Sequence, residues 1–262
     1  MNDNCTGKIP RYLILILLQV FILAEFGNAQ IIAGSDGDIE PRFLIDKPTA
    51  GMLKRGSFGM NLDFFQQGGL VVNLNAGVMN RLSFGVSYGG NNIVGSNKID
   101  WNKSAGVNIK FRLFDETATV PAIALGFDSQ GKENYVATLN RYAVKSSGFF
   151  IVGSKNLELL GFLSVHAGLN RSLENSDRDN DINTFLGIEK TIGSDLSFVA
   201  EYDFAVNDSK KSILTEHRTF FHTGFRWSFG NGFAAGINLK DIQTQKFSIG
   251  SRTMFVEYIN IF

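Results

Sequence analysis

Bulky apolar residues alternate with small or polar ones, at a period of two, along much of this chain. The alternation is clearest over Leu82–Tyr88, where Leu, Phe, Val and Tyr take the even positions and Ser or Gly the odd positions. Successive side chains of a β-strand point to opposite faces of a sheet. The alternation therefore predicts strands with one apolar and one polar face.

The alternation recurs along the chain and predicts an antiparallel sheet of about 12 strands, several of them less regular than the rest. The less regular strands fall near residues 121–128, 148–155, 183–190 and 252–262. Short connections alternate with longer ones, apart from a short first turn at Gln66–Gly69. The longer connections are residues 90–104, 129–147, 171–182, 205–217 and 241–250. Transmembrane barrels have short turns at one end, long loops at the other and usually an even number of strands.

Composition supports a β-sheet and excludes several classes of protein. The chain has 28 Gly and 24 Phe but only 4 Pro, which excludes collagen and proline-rich linkers. So much Gly disfavours a helical protein, because an interior Gly destabilises a helix by about 1 kcal/mol relative to Ala. The 25 basic and 25 acidic residues give a formal net charge of zero, which argues against a nucleic-acid partner.

The alternation alone is also compatible with a soluble barrel of the lipocalin type or with a β-sandwich. The number of strands, the absence of helices to cover the bulky face, and a polar face rich in Gly, Ser and Asn favour a membrane barrel. Aromatic residues near strand ends, such as Phe64, Tyr88, Trp227 and Phe229, suit an interfacial girdle. The final Phe262 is typical of the last strand of such barrels. We therefore predict an all-β, antiparallel, up-and-down transmembrane β-barrel.

The N-terminus predicts export. Lys8 and Arg11 precede an apolar run, Leu13–Leu23, and Ala29 ends a stretch of small residues. These features predict a cleaved signal peptide over residues 1–29 and a location in the cell outer membrane. Residues 30–56 are then predicted to be a periplasmic segment, and residues 57–262 the barrel. The single cysteine, Cys5, lies in the leader, which leaves no thiolate site or disulfide in the mature chain.

Several short motifs point to a family. Leu44–Leu53 followed by Gly56-Ser57-Phe58, and then Pro121–Asp128, Gly153-Ser154-Lys155 and Glu201-Tyr202-Asp203, occur in this order along the chain. Together they resemble the YjbH-like bacterial outer-membrane proteins. The resemblance implies a β-barrel associated with the production or export of exopolysaccharide.

Titratable residues on the polar faces of the strands are candidates for lining the lumen. They are Asp63, Lys110, Arg112, Asp128, His166, Glu189, Glu201, Asp203, His222, Arg226 and Lys240. One hypothesis is a constriction that selects solutes by charge. The alternative is that these charges neutralise one another inside a closed barrel.

An enzymatic role is not predicted. Ser164 shares a face with His166, and Glu201 or Asp203 could complete a hydrolase triad. However, residues two apart on a strand are about 7 Å apart, which is too far for a hydrogen bond. His166 and His222 are therefore interpreted as members of a polar network, and His217 as an external loop residue.

Asp177, Asp179 and Asp181 lie in a predicted external loop and form a weak candidate metal site, since alternate carboxylates can gather around calcium. A solvated acidic loop is the simpler interpretation. No cofactor is predicted. The expected partners are outer-membrane lipid and lipopolysaccharide, with polysaccharide or proteins of a secretion machinery as further candidates.

Three functional hypotheses remain open from the sequence. The first is a role in, or accessory to, the secretion of envelope polysaccharide. The second is a small general diffusion channel, and the third is a non-conducting barrel with a structural or surface-binding role.

Overall fold

The computed structural model describes residues 40–159, 161–208, 219–243 and 252–261. The predicted signal peptide over residues 1–29, the loop histidine His217 and the terminal Phe262 lie outside these ranges. The strands within them are β1 (Ser57–Phe65), β2 (Gly69–Met79), β3 (Leu82–Asn91), β4 (Asp100–Trp101), β5 (Gly106–Phe114), β6 (Ala122–Asp128), β7 (Lys132–Val136), β8 (Arg141–Val144), β9 (Gly148–Glu158), β10 (Phe162–Arg171), β11 (Asn183–Ile192), β12 (Leu196–Asp203), β13 (Phe220–Gly230), β14 (Phe233–Leu239) and β15 (Arg252–Ile261).

The described strands form a closed 12-stranded antiparallel barrel, which confirms the predicted fold class. Consecutive barrel strands are neighbours, and β1 closes the sheet by pairing with both β2 and β15. The closing register runs from Ser57 opposite Ile261 to Phe64 opposite Met254. Closure leaves no unpaired sheet edge, which is the condition for a sheet to cross a lipid bilayer.

Three short strands lie outside the ring of twelve. The two-residue strand β4 extends the end of β3, where Trp101 pairs with Gly90. Strands β7 and β8 pair with each other and form a separate hairpin between β6 and β9, which we call the outer hairpin (Lys132–Val144). A single turn of 3-10 helix, Val206–Asp208, follows β12.

The two ends of the barrel differ as the loop lengths predict. At the short-turn end, β13 and β14 are joined by Asn231-Gly232 alone, both with positive φ (52° and 78°). Asn-Gly is the preferred pair for such a two-residue hairpin turn, because both positions require a left-handed backbone. The long-loop end carries the outer hairpin and the 172–182 loop.

The outer surface is apolar around the barrel. Exposed side chains on the strands include Leu74, Val86, Ile109, Ile151 and Leu169. So large an apolar surface on a closed barrel is stable in lipid rather than in water.

Stacked aromatic pairs lie near both ends of this surface. The rings of Tyr88 and Trp101 are 5.6 Å apart at the long-loop end, and those of Trp227 and Phe229 are 5.5 Å apart at the short-turn end. These pairs have the positions of the two interfacial girdles of a membrane barrel. Among the described residues there is no helix that is both long and apolar enough to cross a membrane.

The N-terminal segment differs from the sequence expectation. Residues 30–56 are predicted to lie in the periplasm, but residues 40–53, which we call the luminal segment, run through the interior of the barrel. The luminal segment forms a narrow hairpin. Phe43 and Pro48 form an isolated antiparallel β-bridge, and the Leu44 amide donates a hydrogen bond to the Lys47 carbonyl at 2.9 Å. The physical reason is that the barrel wall provides a partner for its charged groups and for many of its peptide groups.

Both ends of the luminal segment lie at the short-turn end of the barrel. Pro41 borders a small cavity with Asp195 and Gly232, and Lys54 lies against Gly77 near the end of β2. The tip of the hairpin contacts β11, where a Cβ added at Gly187 would be 2.2 Å from the Leu44 side chain. This glycine of the wall therefore makes room for the segment.

Candidate functional site: the luminal segment and the barrel wall

The charged side chains of the luminal segment are complementary to the wall. Each of the four at residues 40–47 forms a salt bridge with a wall residue of opposite charge, and the four partners come from different strands or strand ends. The pairs are Glu40 with Arg112, Arg42 with Glu257, Asp46 with Lys240 (2.8 Å) and Lys47 with Asp203 (2.8 Å). Buried charges are tolerated when they are paired in this way.

Basic residues of the wall also bind the peptide carbonyls of the luminal segment. The Lys110 ammonium donates to the carbonyls of Arg42, Thr49 and Gly51 at 2.9, 3.0 and 3.2 Å. Arg112 donates to the Ala50 carbonyl, with Nε at 3.1 Å. These contacts satisfy carbonyl groups that would otherwise be buried without partners.

Arg226 joins the tip of the segment to the wall. Its Nη2 donates to the Phe43 carbonyl at 2.9 Å, while its Nη1 lies 2.8 Å from the Glu189 carboxylate. Glu189 also accepts a hydrogen bond from Ser197 at 2.7 Å. A single guanidinium therefore connects the luminal segment to β11.

The Glu201 carboxylate binds main-chain amides at the tip of the luminal segment. One carboxylate oxygen, Oε2, accepts hydrogen bonds from the amides of Ile45, Asp46 and Lys47 at 2.9, 2.8 and 2.9 Å. Successive amides that converge on one anion form a nest, which is a strong binding arrangement for negative charge. Glu201 is completely buried, and the nest compensates for the loss of its hydration.

Asp46, Glu201 and His222 place potential ligand atoms within 4.8 Å of one another. The His222 Nδ1 accepts the Asp241 amide hydrogen at 2.9 Å, so the neutral ring carries its proton on Nε2, which faces Asp46 at 3.5 Å. A protonated Nε2 cannot bind a metal, and the Lys240 ammonium already lies 2.8 Å from Asp46. These residues therefore fit a network of hydrogen bonds and ion pairs better than a metal site.

His166 contacts a serine on the neighbouring strand. Its Nδ1 lies 2.7 Å from the Ser154 hydroxyl, which also accepts the Ala50 amide hydrogen at 2.9 Å. Ser164, the serine considered from sequence, donates instead to Asn156. Ser154 is opposite His166 in the register of β9 and β10, a relationship that the sequence does not reveal. Ser154 therefore connects His166 to the luminal segment.

The remaining inward residues lie beside a small polar cavity. Asp63 accepts hydrogen bonds from the Asn61 and Asn73 amides at 2.9 and 3.0 Å, and Asp128 accepts the Gln130 amide hydrogen at 2.9 Å. These residues line a cavity of about 40 Å³ between the wall and the luminal segment. This volume has room for a few water molecules. We call this region the amide-lined side of the lumen.

On the opposite side of the lumen, apolar side chains gather in one cluster. Ala50 of the luminal segment packs in a buried cluster with wall residues of β6, β9 and β11. The wall members of this cluster are Ala122, Ala124, Phe150, Val152 and Phe185. We call this region the dry side of the lumen.

The structure brings the sequence-predicted inward residues together inside the barrel, and most of them contact the luminal segment or its immediate partners. Sequence reasoning missed the segment itself and Ser154. The signal that could have found the segment is its charge pattern, since Glu40, Arg42, Asp46 and Lys47 are of mixed sign and lie beside apolar residues. Apolar residues beside charges of both signs are typical of a buried segment with charged partners rather than of a solvated linker.

The acidic loop is arranged for ion pairs rather than for a metal. Asp177 bonds Arg141 of the outer hairpin at 2.9 Å and Lys145 at 2.7 Å, and Asp181 is exposed. Partial burial would raise the pKa of Asp177, but the hydrogen bond from Lys145 and the charge of Arg141 outweigh it and hold this pKa below its ordinary value. Asp179 contributes its carbonyl to Lys145 at 3.3 Å. The neighbouring cations therefore take the place that a calcium ion would occupy.

Comparison with known proteins agrees with the sequence resemblance. Residues 43–171 match the model of the YjbH family, described as "Exopolysaccharide biosynthesis protein YbjH". The matched range begins in the luminal segment and ends with β10. The predicted similarity to this family is thus confirmed over these residues. No curated protein matches the chain by sequence.

Solved structures similar to this chain include a KdgM porin, with 12% identity, a TM-score of 0.48, and coverage of 79% of this chain and 99% of that one. The Acinetobacter baumannii outer membrane protein Omp33 has 9% identity, a TM-score of 0.44, and coverage of 79% and 97%. The NanC porin has 8% identity, a TM-score of 0.41, and coverage of 78% and 99%.

Proposed function

We propose that this protein is an outer-membrane β-barrel that takes part in the secretion of envelope exopolysaccharide, directly or as an accessory. The observation that carries the proposal is the family match over residues 43–171. This range contains most of the luminal segment and the wall residues Lys110, Arg112 and Ser154 that bind it. The matched region therefore includes the feature that distinguishes this barrel from an open pore.

The contacts of the luminal segment support a closed resting barrel. Its four charged side chains are paired with the wall, and its tip is bound by Glu201. Of the two hypotheses for the inward charges, these pairs favour the closed barrel, with the difference that the wall charges Arg112, Asp203 and Lys240 pair with the luminal segment rather than with one another. A closed barrel suits an accessory that opens or binds only when the secretion machinery is active.

Deletion of the gene tests the polysaccharide role. We expect a strain without this protein to release less exopolysaccharide, and expression of the wild-type chain to restore it. Expression of a Lys103→Gln variant, which changes an exposed loop residue, serves as a matched control and should restore it equally. An unchanged amount and composition of polysaccharide in the deletion strain would contradict the proposal.

A small diffusion channel is the second candidate, and the polar cavity on the amide-lined side favours it. Planar-bilayer recording of the refolded full-length protein separates the two. Steady conductance steps from the wild type would support the channel. A silent wild type combined with unchanged polysaccharide after deletion would favour the third hypothesis, a structural or surface-binding barrel.

A further inference from the structure

The outer hairpin reaches from the long-loop end toward the luminal segment, which enters from the opposite end. Asn134 of the hairpin donates to Gln67 in the turn between β1 and β2 at 3.0 Å. Arg141 bonds both carboxylate oxygens of Asp208 at 2.8 Å, which joins the hairpin to the segment after β12. The hairpin is therefore fixed over the mouth of the barrel by contacts on two sides.

Lys240 connects the hairpin to the luminal segment. Its ammonium lies 2.8 Å from the Asp46 carboxylate of the segment and 3.1 Å from the Glu133 carboxylate of the hairpin. The side chains of Lys240 and Asp46 are only 5% and 4% exposed, so water does not screen this pair strongly. Loss of either carboxylate would leave the buried ammonium with a single acidic partner.

A second, independent contact joins the same two elements. The Lys132 ammonium of the hairpin lies 5.3 Å from the centre of the Phe43 ring, and the Lys110 ammonium of the wall lies 5.2 Å from that ring. Cation–π contacts at these distances are favourable, and more so where water is excluded. The Phe43 ring thus contacts both a cation of the wall and a cation of the outer hairpin.

We infer that the luminal segment and the outer hairpin are energetically coupled through Lys240 and Phe43, so that loosening one loosens the other. Coupling between two sites is reciprocal, and each must affect the other by the same factor in equilibrium. The inference does not depend on which substance the barrel transports or secretes. Its consequence is that a change that releases the tip of the luminal segment also loosens the outer hairpin at the long-loop end.

Hydrogen exchange of the refolded full-length protein, read by mass spectrometry, tests the inference. Glu133→Gln changes only the hairpin side of the Lys240 contact. We expect exchange in residues 40–53 to become several-fold faster. Glu158→Gln is the matched control, because it makes the same change of carboxylate to amide at an exposed residue outside both elements, and it should leave exchange in residues 40–53 unchanged.

The reciprocal variant, Asp46→Asn, should accelerate exchange in residues 132–144 by a similar factor. Lys132→Gln tests the Phe43 contact separately and should loosen residues 40–53 by a smaller factor. Heat-modifiable gel mobility establishes that each variant retains the barrel, and the peripheral Glu133→Gln remains informative if Asp46→Asn does not fold. Acceleration confined in every variant to the element that carries the substitution would overturn the inference.

Discussion

The two sides of the lumen contact the luminal segment with different kinds of side chain. On the dry side, Ala50 lies in a buried apolar cluster with Phe185 and its neighbours. On the amide-lined side, Asn61 and Asn73 both donate hydrogen bonds to Asp63, and a cavity of about 40 Å³ remains beside them. The luminal segment is therefore held by apolar packing on one side and by ion pairs and hydrogen bonds beside a polar cavity on the other.

Removing the fully buried phenylalanine of the dry side, Phe185, should destabilise the protein most. Phe185→Ala leaves a cavity where the wall packs around Ala50, and such substitutions destabilise proteins by about 3–5 kcal/mol. We expect denaturant unfolding of the barrel to shift by this amount and exchange in residues 40–53 to accelerate. An unaffected luminal segment would show that the dry side does not fix it.

Loss of the carboxylate that binds the tip of the luminal segment should have the next largest effect on stability. Glu201→Gln removes the charge on which three amides converge, and hydrogen bonds to charged groups contribute about 1.5–3 kcal/mol each in favourable cases. Since the amide oxygen still accepts, we expect a total loss of about 1–3 kcal/mol, measured as faster exchange at residues 45–47. Glu158→Gln, an exposed change of the same chemistry, is the control. Equal effects of the two variants would contradict the role of Glu201.

A substitution on the amide-lined side should have a smaller effect on stability. Asn73→Ala removes a hydrogen bond to Asp63 in a region that water can enter, so we expect a loss of about 1 kcal/mol or less. Denaturant unfolding measures it beside Phe185→Ala. A loss as large as that of Phe185→Ala would remove the distinction between the two sides.

The smallest expected effect on stability is in the 172–182 loop, and it depends on pH. Because the pKa of Asp177 is lowered in the folded protein, its contribution to stability is present above the ordinary aspartate pKa of 3.8 and is lost as pH falls through the folded value. We expect exchange in residues 172–182 to accelerate, after correction for the intrinsic rate, as the solution is acidified below that range.

Glu174 in the same loop has the opposite effect on the pH dependence of stability. Burial raises its pKa, so acidification, which protonates it, favours the folded loop. An Asp177→Asn variant isolates the two contributions. If the acid-induced acceleration persists in this variant, Asp177 is not its cause.

The sequence predicted the barrel better than its contents. Alternation such as that of Leu82–Tyr88 depends only on the two-residue period of a strand, so it defines both the strands and their inward faces. The luminal segment has no such period. Its position depends on charges that lie far apart in sequence, as with Lys47 and Asp203 or Asp46 and Lys240. These pairs meet only after the sheet has closed.

The sequence also could not predict which inward side chains contact one another, because this depends on the register between strands and on the turn of the luminal segment. Ser154 and His166 become neighbours through the pairing of β9 with β10, and Glu201 meets three amides only because the segment turns at Leu44–Lys47. Side-chain types alone indicated that these residues face inward. They could not indicate that the partner is a segment of the same chain.

Single-channel recording in planar bilayers tests whether residues 40–53 close the barrel. The full-length protein should give no conductance steps, whereas a variant lacking Glu40–Leu53 should give steady steps in the same lipid, with heat-modifiable mobility establishing that it folds. A full-length protein that conducts as well as the deletion variant, or a folded deletion variant that remains silent, would contradict the account.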